Sequence, residues 1–141
     1  MQVSLKSTGS GFAALASKLD RLADDAPRKM AERAAAAAQG QLDREFATTT
    51  DPAGKRWKPK KIPNGKPTLQ ATGDMMASAK AIPGPTNDIL LSVEGPAVFH
   101  QHGTVHMVAR PILPDNKLRG EWMTAIDAAA VEGIHDAYEG R

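Results

Sequence analysis

Hydrophobic positions in this chain recur at helical spacing towards both ends and alternate only briefly in between. From Gly11 onward, Phe12, Leu15, Ala16, Leu19, Leu22 and Ala23 fall at i, i+3, i+4 and i+7, which predicts a helix with one apolar face. Asp24-Asp25-Ala26-Pro27 punctuates that pattern, since acidic residues suit a helix start and proline suits its first turn. A second helix is therefore expected from about Pro27 to Ala47, with Met30, Ala34, Ala38, Leu42 and Phe46 as its stripe. Its Ala34–Ala38 run favours helix and carries almost no bulk, so it suits close approach to another helix, within the subunit or across an interface. Thr48 to Pro52 ends it, because the residue before a proline avoids the α region. Residues 1–10, polar and glycine-bearing, read as a short strand or a loose arm.

Residues 51–67 carry no hydrophobic period. They hold Pro52, Pro59, Pro63 and Pro67 and the basic residues Lys55, Arg56, Lys58, Lys60, Lys61 and Lys66, with no acid after Asp51. A loop this long inside a small domain is usually functional or disordered, which makes it the candidate contact arm. Leu69 to Lys80 reads as a short helix or extended turn around Thr72-Gly73-Asp74. Ile89 to Val93 is the best strand, with Ala79–Ile82 as its hairpin partner across the Pro83–Asp88 turn. Pro96 is placed to open a single helical turn over Ala97–Gln101, ended by Gly103. Val105 to Ile112 is expected to form another strand, confined to an edge by Pro111. Asp115 to Tyr138 is expected to be a C-terminal helix with Trp122, Ile126, Ala129, Ala130, Gly133 and Ile134 on its apolar face. The fold class is α+β in one domain spanning 1–141: N-terminal helices, a small antiparallel sheet, a C-terminal helix, and a long basic loop between helix and sheet.

Composition sharpens this in a few places. Aromatic residues are only 4% of the chain, so the core must be built mainly from Ala, Leu, Ile, Val and Met. Alanine buries little area at about 25 cal/mol per Å², so a thin core is expected, stabilised further by assembly with copies of itself. A formal net charge of +2 argues against coating nucleic acid with the whole surface. There is no cysteine, hence no disulfide, thiolate metal site or Cys nucleophile, as suits a reducing cytosol. The first residues lack an apolar signal region, and no apolar run is long enough to predict a membrane span.

Candidate chemistry is sparse. His100, His102 and His106 give an H-x-H-x3-H spacing that offers zinc three ligands, the basis of a histidine-metal hydrolase reading. No Asp or Glu lies between Glu94 and Asp115 to complete or orient such a site. The histidines are therefore expected to be hydrogen-bonded at a turn or subunit contact, and no metal or cofactor is expected. No serine sits in a G-x-S-x-G elbow, Gly54-Lys55-Arg56 lacks the rest of a phosphate loop, and no carboxylate pair is placed for acid–base work. An enzyme is not expected. The basic loop offers more, since its charges with Trp57 among them suit DNA phosphates or an acidic protein face. The bland alternative is a solvated loop with Trp57 folded back on the core.

Read in order, several pieces resemble one family. Phe46 at a helix end is followed by Asp51-Pro52-Ala53-Gly54-Lys55-Arg56-Trp57-Lys58-Pro59, then Leu69, Thr72-Gly73-Asp74-Met75 and Ser78. Ala97-Val98-Phe99-His100-Gln101-His102-Gly103 and Arg110-Pro111-Ile112-Leu113-Pro114 complete the series. From roughly Met30 to Trp122 the chain resembles the virion-morphogenesis and tail-completion proteins of Mu-like and related tailed phages. These are similar in turn to the small head–tail connector proteins of long-tailed phages. Departures are Pro96 where a tyrosine is frequent, His102 where an aromatic is common, and Met75 where leucine is usual.

The resemblance implies a structural protein of the virion neck, assembled in the host cytoplasm as a homo-oligomeric ring, hexamer or dodecamer. Such a ring joins head and tail as a stopper (head-completion) or tail-terminator component. Its partners would be neighbouring neck, connector and tail proteins, with DNA in the channel and no membrane. On that reading Trp57, Lys58, Lys60, Lys61, His100, His102 and Arg110 are the expected subunit or partner contacts, and Lys55, Arg56 and Lys66 the DNA-facing ones. Arg110, held extended before Pro111, would clamp a carboxylate on the next subunit. The alternative function is a small nucleic-acid-binding module using the 55–66 loop.

Overall fold

The computed structural model of the chain describes residues 11–70, 72–115, 117–118 and 120–141, so the arm or strand expected over residues 1–10 lies outside it. Its first element is a single helix, α1 (Gly11–Thr48), of 38 residues, roughly 57 Å at 1.5 Å per residue. The break expected at Asp24–Pro27 is absent, and Pro27 lies inside the helix. A mid-helix proline removes the bond to the carbonyl four residues back. Here Pro27 and Ala23 are both on an exposed turn, where the Ala23 carbonyl is accessible to solvent in place of the lost donor. Arg28 pairs with Asp25 (3.4 Å) and Glu32 (2.7 Å) around the proline, and an alanine-rich run follows, so helix continues on both sides.

The long helix ends in a left-handed residue, Thr49 (φ 54°), whose neighbour Thr50 donates its N–H to the Glu45 carbonyl (3.0 Å). The remaining elements pack along α1. A short helix, α2 (Asp74–Ser78), leads into strand β1 (Lys80–Pro83), which pairs antiparallel with β2 (Ile89–Ser92) in the register Ala81 opposite Leu91. Gln39 ties this hairpin to α1. Its Nε2 donates to the Ala79 carbonyl (3.2 Å) and its Oε1 accepts from the Ala81 amide (2.9 Å), as a neighbouring strand would.

Helix α3 (Pro96–His102) matches the expected turn, and its C-cap Gly103 adopts φ 73°. A Cβ on Gly103 would come within 2.8 Å of the Ala109 amide nitrogen. The strand expected over Val105–Ile112 is not formed. Thr104 and Met107 close a turn that leaves Val105 97% exposed, and the chain then runs irregularly against α3. Gln101 takes the place of a partner strand: its Oε1 accepts from the amides of Ile112 and Leu113 (2.8 Å each), and its Nε2 donates to the Leu113 carbonyl (2.9 Å).

Helix α4 (Gly120–Glu139) begins later than the expected Asp115. Asp115 Oδ1 accepts the Lys117 amide (3.0 Å), a local turn that competes with helix, and Gly120 has φ 53°. Helix α4 packs antiparallel on α1, with Arg44–Glu121 (2.8 Å) near one end and Arg33–Asp136 (2.6 Å) near the other. At Gly133 the backbones meet, since a Cβ there would lie 2.6 Å from the Lys29 carbonyl oxygen and the Met30 Cα. This close approach lies one to two turns before the Ala34–Ala38 run for which a close helix contact was expected.

The core is α+β in composition and thin. Among the described residues seven of the thirteen buried hydrophobic ones are alanine, and the largest fully buried side chains are Phe46, Leu42 and Ile112. Phe46 meets Trp57 edge-on (5.4 Å, 69°), and both join Trp122, Leu69 and Ile112 in one cluster. The expected stripe from Ala34 to Phe46 is the inner face of α1. The earlier stripe behaves differently: residues 13–17 are exposed on every side, and Leu15 and Leu19 are 51% and 54% exposed. Tyr138, near the end of α4, reaches only as far as Lys18, whose Nζ lies 4.0 Å from the ring centroid.

Candidate functional site

The basic segment is held at its base. Asp51 Oδ1 accepts the amides of Ala53 (3.0 Å) and Lys55 (2.8 Å), and Trp57 N–H reaches the Thr49 carbonyl (2.9 Å). This tight return delivers Trp57 to Phe46, where it is 6% exposed and its Nε1 donates to the Pro111 carbonyl (2.8 Å). Arg110 is 8% exposed, its Nε donating to the Lys58 carbonyl (2.8 Å) and its Nη2 to that of Pro59 (2.9 Å). Within the subunit, then, both of these expected contact residues are buried and hydrogen-bonded to their own chain. The indole finds an aromatic partner within its own chain. The guanidinium fork binds carbonyls that the proline-rich segment leaves without backbone donors.

Beyond Pro59 the segment turns outward. Lys60 Nζ donates to Asn64 Oδ1 and to the Lys66 carbonyl (2.7 Å), closing the tip on itself. Lys55, Arg56, Lys58 and Lys61 are exposed, and their side chains enter no ion pair among the described residues. The histidines do not converge. His100 and His102 are two apart on α3, hence on different faces, and His106 sits in the exposed turn beyond it. His100 is half-buried with Nδ1 unpartnered, and burial, then the charge of Arg110, pushes its pKa down. Among the described residues no group of three or more His, Cys, Asp or Glu is placed to hold a metal ion.

A feature the sequence reading missed lies where the end of α1 meets the start of α4. Glu45 projects from the inner face of α1 and is 4% exposed. Its Oε1 accepts the Trp122 indole N–H (2.7 Å), while its Oε2 is buried without a partner. Burial, with the nearby Asp51 charge, pushes the Glu45 pKa up to about 8 against the opposing Trp122 hydrogen bond. An unsatisfied buried polar group costs about 1–3 kcal/mol, so the position opposes stability. Glu45 lines a cleft of about 530 Å³ together with Thr48, Asp51, Gly120, Glu121 and Trp122. Arg44, also on the wall, pairs with Glu121 at the exposed rim. The signal was present in the heptad: Ala38, Leu42 and Glu45 fall at i, i+4 and i+7, placing one acid on an apolar stripe.

No protein-family model, curated protein or solved structure matches this chain.

Proposed function

We propose that this chain is a structural subunit of the tailed-phage neck, a homo-oligomeric ring that joins head and tail as a stopper or tail-terminator component. The observation that carries the reading is the outer part of α1. A helix with Leu15 and Leu19 half exposed, and residues 13–17 exposed among the described residues, has a face suited to another chain. The thin alanine core points the same way, because such a domain gains stability by burying further apolar surface against its own kind. A protruding apolar helix and an outward basic loop are different surfaces, as head-to-tail contacts that close into rings require. The order of motifs between Met30 and Trp122 supplies the phage-specific part of the proposal.

Sedimentation and negative-stain imaging of the purified chain test this. Closed rings, alone or capping tail tubes, are expected. A species that stays monomeric at high micromolar concentration would overturn it. A second reading, binding of nucleic acid, draws on the four unpaired basic side chains around Trp57. Burial of Trp57 removes it as a stacking platform, leaving phosphate contacts alone. DNA binding with a steep salt slope and no rings would favour that reading.

A further inference from the structure

We infer that the cleft between the end of α1 and the start of α4 receives a lysine side chain from the basic loop of a second copy of this chain. Three observations support the site. The first is the cleft itself, about 530 Å³, large enough for a long side chain. The second is its acidic lining: among the described residues that line it, Asp51 and Glu121 are carboxylates and Glu45 a carboxyl, against the cation Arg44, which already pairs with Glu121. The third is the buried Glu45 Oε2, a carboxyl oxygen with no partner in the subunit although Oε1 is satisfied by Trp122.

Charge complementarity names the occupant. Lys58 and Lys61 are exposed and enter no ion pair among the described residues. No residue from 55 to 66 is among those lining the cleft of its own subunit. The Arg110 clamp on the Lys58 and Pro59 carbonyls fixes the base of the loop and leaves its basic side chains pointing outward. A loop entering a cleft is a head-to-tail contact, which repeats from copy to copy. The identity of the partner rests on the ring reading above; the cleft and its unpartnered carboxyl do not.

A cation arriving beside Glu45 favours its ionised form, so docking releases a proton. Glu45 is faced by Arg44 on α1, Asp51 on the following turn and Glu121 on α4. Because burial holds its pKa near 8, association should weaken by up to about tenfold for each pH unit below that value.

The test is sedimentation equilibrium on the full chain with Glu45→Gln, Lys58→Glu plus Lys61→Glu, and all three changes together. Glutamine can still accept the Trp122 N–H, and unchanged circular dichroism confirms the fold. Either set alone should weaken association at least about tenfold. The combination should lose no more than the worse set, and Glu45→Gln should abolish the pH dependence. Carbodiimide treatment of mixed light and heavy-isotope protein should join Lys58 or Lys61 of one copy to Glu121 of another. Rings that form equally well with Glu45→Gln, or losses that simply add, overturn the docking and leave the ring reading intact. A chain that stays monomeric in every case overturns both.

Discussion

The two stretches of α1 share one helix and one kind of pattern, yet only one is buried inside the subunit. From Met30 to Phe46 the stripe is covered by α4, the β hairpin and the Trp57 return, and Leu42 and Phe46 are fully buried. From Ala13 to Leu19 the same spacing is left largely uncovered among the described residues: Lys18 reaches Tyr138, and Leu15 and Leu19 remain about half exposed. Periodicity reports that a helix has an apolar face; which molecule covers that face depends on where the partner elements end. Here the partner is α4, which is 20 residues long against the 38 of α1. The surplus is the part of α1 that α4 does not reach along its length, and under the proposed function it is the face offered to a neighbour.

The comparison can be broken or sharpened by substitution. Phe46→Ala should have the largest effect, about 3–5 kcal/mol of stability lost, read by denaturant unfolding at low protein concentration. Glu45, on the same inner stretch, makes stability depend on pH. The folded state keeps a proton that the unfolded chain releases between its ordinary pKa of 4.5 and about 8. Stability should therefore fall as pH rises through that window, by about 1.4 kcal/mol per unit at most, and Glu45→Gln should remove the slope. Gly133→Ala should cost about 1–3 kcal/mol by driving a methyl into the Lys29–Met30 backbone, seen as a lowered Tm. Leu19→Gln should be smallest for the isolated subunit, within about 0.5 kcal/mol, while reducing association in sedimentation. If Leu19→Gln destabilised the monomer as Phe46→Ala does, the contrast between the two stretches would collapse.

Much of the frame was legible because it is local. The Leu42–Phe46 stripe, the hairpin across Pro83–Asp88 and the α3 turn between Pro96 and Gly103 follow from spacing and turn residues alone. The misreadings each depended on a side chain distant in sequence or on solvent. Pro27 looked like a helix start because its chemistry fits one, but an exposed turn tolerates the missing bond equally well. Val105–Ile112 looked like a strand, yet Gln101 supplies the hydrogen bonds that a neighbouring strand would have supplied. Arg110 looked available to another subunit until the fold brought Lys58 and Pro59, over fifty positions away, beneath it. Of the Glu45 cleft only the acid on the apolar stripe was legible; the cleft itself needs Trp122 and Glu121 of α4 to complete its wall.

Pro27 has a mechanical consequence. Lacking an amide hydrogen, it deletes one rung from the α1 ladder just before the point where Gly133 presses on Lys29 and Met30. Unwinding that begins at the outer tip meets this gap and then a clamped turn. The stretch before the gap is joined to the packed stretch by one backbone hydrogen bond fewer than an unbroken helix would have.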